Sequence, residues 1–235
     1  MPPIGDLTIL VPVDVSAPEP PALSVLDVLR PFEVVLLGYF HVPDQAEPAL
    51  IKGEYEAEAQ SRLDAIAAER PDVTEVLVFT HDRAATIDRV ADQYDCDAVL
   101  SAGDTDHIER VLVPVRGPAN LERLTSVVAG LLDDDAATAT VFHAVGDDGE
   151  VSEGEALLEE VVERVAAFGI DADRIERQLS REGEPGTDIV DLAASYDIVV
   201  LGETEPSLRD RIIGETLSDI IDRLSVPALV VRDVE

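Results

Sequence analysis

The chain has 235 residues, 46% of them hydrophobic, and carries 50 acidic against 17 basic residues for a formal net charge of −33. That much apolar content excludes the disordered, charge-dominated class, and the length suffices for one large domain or two small ones, each with a core of its own. The charge argues against polyanionic partners such as nucleic acid or anionic lipid, and no stretch approaches the ~20 apolar residues of a membrane span.

The charge has an unusual make-up: sixteen arginines stand beside one lysine, Lys52, and the acidic residues are spread over the whole length. A coat of this kind is expected of a cytoplasmic protein from a very salty cell, such as a haloarchaeon. There a Debye length of about 3 Å at 1 M salt tames the self-repulsion. The opening MPPIGDLTILVPVD has no basic segment ahead of an apolar one and is not expected to be a secretory signal. The single cysteine, Cys96, excludes an intramolecular disulfide and a multi-cysteine metal site. It precedes an apolar run, so a buried, inert thiol is expected.

In chain order, apolar runs at 7–13, 33–40, 74–80 and 97–102 are short, β-branched and continuous, which predicts strands covered on both faces. Helical patterns lie between them at 21–30, 53–70 and 83–94; the second, YEAEAQSRLDAIAAERP, is expected to stop before Pro71. A second series follows, with strands at 110–115, 138–145, 174–180 and 197–201 and helices at 119–132, 153–168 and 187–195. The helix TLSDIIDRL, with Leu217, Ile220, Ile221 and Leu224 on one stripe, and the strand ALVVR (228–232) after Pro227 complete the chain's pattern. Alternating strands and helices predict parallel sheets with right-handed crossovers.

The two series share one register. ILVPVD (9–14) returns as VLVPVR (111–116), an offset of 102 that also carries Phe40–His41 onto Phe142–His143 and Tyr94 onto Tyr196. Three segments in one register indicate a tandem duplication, with domains at 1–107 and 108–235 and the seam near Asp104–Glu109. The first half runs from its fourth strand straight into the second half and has no room for a fifth.

ILVPVDVS, VLVPVRG, the FH pairs, YDIVVLGETEPSLRDRIIGET and RLSVPALVVR, in this order and duplicated, resemble the universal stress protein family of tandem type over essentially the full length. The resemblance implies an α/β fold of two Rossmann-like (adenine nucleotide alpha hydrolase-like) domains. Their parallel sheets would have order 3-2-1-4(-5), the first lacking the fifth strand. It implies a nucleotide cleft at the carboxyl ends of strands 1 and 4, where a topological switch point lies. In members that bind ATP, an Asp after the first strand meets the base end, and a loop G-x2-G-x9-G-[ST] leading into a helix holds the phosphates.

Val13 and Asp14 match the base end in the first half, which has no phosphate loop. In the second half Val115 and Arg116 stand there instead, and the loop residues are Gly202, Thr204, Gly214, Glu215 and Thr216. Glu205 and Pro206 occupy the middle-glycine region, where a side chain and a missing N–H remove the close backbone approach to phosphate. Arg116 is expected to bridge to an acid such as Glu203. Neither half carries a whole site, so the expected function is a non-enzymatic stress-response or signalling module with a degraded nucleotide cleft. It would require no cofactor and bind ATP or AMP weakly. The alternatives are an active ATP- or AMP-binding member with slow hydrolysis, and a regulatory module acting on a membrane transporter through protein contacts.

No catalytic motif occurs: G-x-S-x-G, H-E-x-x-H and G-x-x-x-x-G-K-[ST] are all absent. His41 and His143 lack metal-ligand partners at any usual spacing and read as cleft-wall or capping groups; His81 and His107 read as surface. Tyr94 and Tyr196 are expected to pack their helices onto the sheet. The strand at 228–232 has no counterpart in the first half and is expected to seek another chain, forming a homodimer through that edge.

Overall fold

Nine of the apolar runs become strands of a single sheet. The computed structural model describes residues 6–17, 23–68, 70–101, 103, 105–145, 151–181, 185–203 and 215–233. Its strands are β1 (Thr8–Asp14), β2 (Glu33–His41), β3 (Thr74–Thr80), β4 (Ala98–Leu100), β5 (Arg110–Pro114), β6 (Thr138–Ala144), β7 (Ile175–Ser180), β8 (Ile198–Gly202) and β9 (Ala228–Val231). The helices are α1 (Val25–Val28), α2 (Pro48–Ala67), α3 (Arg83–Gln93), α4 (Leu121–Leu131), α5 (Val151–Ala166), α6 (Pro185–Ala193) and α7 (Glu215–Ile221).

The strand order is β3-β2-β1-β4-β9-β8-β5-β6-β7. Within it lie the expected 3-2-1-4 arrangement (β3-β2-β1-β4) and, read from the other edge, 3-2-1-4-5 (β7-β6-β5-β8-β9). Every pairing is parallel except one: β9 runs parallel to β8 and antiparallel to β4.

That exception corrects the expectation for the final strand. Residues 228–231 have both edges taken within their own chain, Leu229 pairing with Leu100 on one side and Val200 on the other. The homodimer expected through 228–232 therefore loses its open edge. A first half that ends at β4 leaves that strand's ladder groups free, and an antiparallel neighbour satisfies them as well as a parallel one would. One strand thus serves as the fifth strand of both halves.

A continuous apolar core on one side of the sheet joins residues of both halves, among them Leu7, Leu26, Leu63, Val113, Leu132, Val161 and Leu229. On the other side two separate clusters lie beneath α3 and beneath α6 with α7. Tyr94 packs against the α3 cluster and Tyr196 is buried in the α6 cluster, as expected. Cys96 is fully buried, and burial pushes its thiol pKa up to about 12, which leaves no reactive thiolate near neutral pH.

The same devices recur in both halves. The Asp97 carboxylate accepts the N–H of Thr8 at the foot of β1 (2.9 Å), and the Asp197 carboxylate accepts the N–H of Arg110 at the foot of β5 (2.8 Å). Arg70 donates to the carbonyls of Leu26 and Phe32, while Arg174 donates to those of Leu132 and Ala137. Each arginine closes the connection into the second strand of its half.

Helix α1 spans four residues where 21–30 was predicted. Pro31 disfavours a helical Arg30, and a run with prolines at 18, 20 and 21 offers little room for a longer start. Helix α2 begins earlier than predicted, at Pro48, because proline suits the first helical position.

Candidate functional site

Val13 and Asp14 end β1, and Val115 and Arg116 follow β5, so the repeat register places them at equivalent strand ends. Their chemistry differs. The Asp14 carboxylate is held locally: its Oδ1 accepts both the backbone N–H of Ser16 (2.8 Å) and the Ser16 hydroxyl (2.5 Å). Beside it, in register on β2, stands Tyr39, with the Arg83 guanidinium 5.3 Å above its ring. Burial raises the Tyr39 hydroxyl above its ordinary pKa, Arg83 opposes the shift, and the Asp14 charge adds to it.

In the second half the backbone of Val115 is gripped from two sides. Its N–H donates to the Phe142 carbonyl (2.8 Å), and its carbonyl accepts from His143 Nδ1 (2.7 Å). Gly154 of α5 lets that helix close on the imidazole: a β-carbon there would fall 2.8 Å from His143 Cδ2. His143 is thus a wall and positioning group, as expected from its lack of ligand partners. His41, aligned with it in the sequence, is exposed, and in the first half His81 Nδ1 donates to a different carbonyl, that of Val42 just after β2 (3.0 Å). His81 is exposed, as expected of a surface histidine, but it carries this bond as well.

Arg116 is exposed and forms no ion pair with any described residue. The bridge expected from Arg116 to Glu203 is absent. Glu203 turns instead to the end of β9: its N–H donates to the Val231 carbonyl (2.9 Å), and its carboxylate accepts the Asp233 N–H (3.1 Å). Gly202 faces Leu124 of α4, and by strand alternation Glu203 faces the opposite side of the sheet.

Burial pushes the Glu203 carboxyl up to about 7; the Asp233 N–H and Arg232 pull it down, and Asp88 and Asp233 push it further up. A carboxyl whose folded pKa lies above its unfolded value binds its proton more tightly when folded. Stability then falls as pH rises from about 4.5 to 7 and stays lower above that. Glu203→Gln should remove this decline and raise stability at pH 8 by about 1 kcal/mol, a figure discounted for partial exposure. Urea unfolding of both proteins at pH 5 and pH 8 checks this; a variant less stable than the parent at pH 8 would contradict it.

Gly202 is partly buried at the end of β8, and a β-carbon there would meet only Leu124 Cδ1 at 3.7 Å. Thr204 and Gly214 lie outside the described residues, as do Glu205 and Pro206. Glu215 and Thr216 open α7, and their side chains lie outside the description as well.

Two arginines with no role assigned from the sequence close the seam beside this cleft. Arg123 of α4 pairs with Asp97 (2.8 Å) and donates to the Arg232 carbonyl (3.0 Å). Arg232, 9% exposed, pairs with Asp92 of α3 (2.5 Å) and donates to the Cys96 carbonyl (3.3 Å). Asn120, in the left-handed region, donates its side-chain N–H to the Val231 carbonyl (3.2 Å). The first half therefore walls one side of the second half's strand ends. No cluster of three or more metal-ligating side chains occurs among the described residues, nor does any helix there have the length and apolarity to cross a membrane.

Residues 107–232 match the universal stress protein family. The chain belongs to that family. Universal stress protein folds also resemble it along its whole length: one from Archaeoglobus fulgidus is 14% identical, with 99% of this chain and 98% of the other covered and a TM-score of 0.64. Another from Pseudomonas aeruginosa is 15% identical, with 97% and 94% covered and a TM-score of 0.61. The cytoplasmic domain of a prokaryotic cation chloride cotransporter is 12% identical, with 96% and 95% covered and a TM-score of 0.50. No curated protein matches the chain. At these identities the structural likeness speaks for the fold, an α/β arrangement on a mostly parallel sheet.

Proposed function

We propose that this universal stress protein is a tandem pair, with domains at 1–107 and 108–235, acting as a non-enzymatic stress-response or signalling module in the cytoplasm of a salt-adapted cell. In this reading its nucleotide recognition is divided between the halves, and the second cleft is degraded. The observation that carries it is the contrast at the two equivalent strand ends: Asp14 is present but bound to Ser16, and Arg116 stands exposed in its place in the second half.

Titration calorimetry with ATP, ADP and AMP in molar KCl tests the reading. We expect no saturable ATP binding below about 1 mM, a limit that corresponds to about −4 kcal/mol, and at most weak AMP binding. Micromolar ATP binding would refute the degraded cleft, and turnover of ATP would refute the non-enzymatic role.

A second reading, a regulatory unit acting on a membrane transporter through protein contacts, starts from the architecture shared with the cotransporter domain. Recovery of a transporter with the tagged chain from membranes of salt-grown cells would favour it.

A further inference from the structure

We propose that β3 is a self-recognition edge, where two copies of the chain pair β3 against β3, antiparallel about Leu77, across a two-fold axis. Strand β3 is the outermost strand of its half and, among the described residues, pairs only with β2. The Thr80 carbonyl accepts the Val42 N–H (2.8 Å), on the β2 side. By strand alternation the N–H and C=O groups of Glu75, Leu77 and Phe79 then point away from the sheet, an open row ready to pair.

What that row presents is unusual for an edge. Natural sheets blunt their edges with charge, yet Val76, Leu77, Val78, Phe79 and Thr80 carry none and are all partly exposed. The sequence TEVLVFT is also nearly its own mirror image. Antiparallel pairing about Leu77 sets Leu77 against Leu77, Val76 against Val78, Thr74 against Thr80 and Glu75 against Phe79. The outward-facing residues 75, 77 and 79 become the hydrogen-bonded pairs, so ladder and side-chain match agree in one register. The two Glu75 carboxylates end about 13 Å apart, four residues along the strand.

The opposite edge supplies the contrast. On β7 the Ser180 carbonyl takes the Val145 N–H, so the ladder groups of Ile175, Arg177 and Leu179 point outward, with Arg177 in the middle as Leu77 is on β3. The same register there would set Arg177 against its own copy, a destabilising like-charge pair. That edge is further fenced by the ion pairs Arg177–Glu159 and Arg181–Glu155. The occupant of β3 is thus a second copy of this chain, joined through an isologous contact. With −33 on each chain, the pairing needs salt to screen it.

Sedimentation equilibrium of the full chain in about 3 M KCl should give twice the 25.3 kDa chain mass, with dissociation on dilution into low salt. Glu75→Pro removes an outward N–H from an exposed edge position while leaving the bonds to β2 intact. It should stay folded and become monomeric. Leu77→Cys sets two Cα atoms about 5.5 Å apart, within disulfide range. It should cross-link on mild oxidation, whereas Gln178→Cys on β7 should not. A parent chain that is monomeric in molar salt, a dimer that Glu75→Pro leaves intact, or equal cross-linking by the two cysteine variants would overturn the proposal.

Discussion

Leu229→Ala should lower the stability of both halves together, by about 3 kcal/mol or more. Leu229 is fully buried in the core that joins the two halves, and its strand is bonded on both sides. Buried Leu→Ala substitutions cost about 2–5 kcal/mol, more where the surroundings cannot collapse into the space. A strand held between two neighbours has little freedom to shift, so the upper part of the range applies. The halves share this strand, so chemical denaturation of the parent should show one transition, moved to lower denaturant in the variant without a second phase. Two separate transitions, with only that of residues 108–235 displaced, would show that β9 does not couple the halves.

Gly103→Ala should be nearly as costly, about 3 kcal/mol. Gly103 follows β4 with φ at +121°, a conformation that side chains rarely adopt. A β-carbon there would lie 2.7 Å from the backbone nitrogen of Pro227 and 2.8 Å from its Cα, and backbone atoms cannot swing aside as a side-chain tip can. This contact sets the end of β4 against the start of β9, next to the bond from Ser101 N–H to the Ala228 carbonyl (2.8 Å). Gly202→Ala is the internal control, since its β-carbon would make only ordinary contact with Leu124 and should change stability by less than about 1 kcal/mol. Thermal unfolding of the two variants side by side checks both expectations; equal midpoints would contradict the account of the Gly103 contact.

Most of the strands could be read directly from the chain, because strands covered on both faces must be continuous apolar runs, and the repeat register fixed which run answered to which. The partner of the last strand could not be read that way. Four strands were counted in the first half and the last strand was expected to seek another chain, whereas the open edge at β4 accepts any strand that reaches it, here β9 of the same chain. The strand ends of the candidate site were equally legible: Asp14 and Arg116 stand where the motifs put them. What holds those ends was not, since His143 reaches the Val115 carbonyl across 28 residues and Arg123 reaches Asp97 across the seam. The alignment of His41 with His143 did not carry over to the sheet: Pro12 pairs with Leu37 where Pro114 pairs with Phe142, so Gly38 rather than His41 takes the place of His143. Glu203 was paired with Arg116 because both follow strands at the expected cleft, but its backbone and carboxylate are taken by the end of β9.

The divided cleft is tested most directly by experimental density for the protein purified from its native salt without added nucleotide. The account expects no nucleotide between Arg116 and Gly202, with Asp14 still bound to Ser16. A triphosphate seated at the end of β8, its phosphates held by the chain after Gly202, would contradict it.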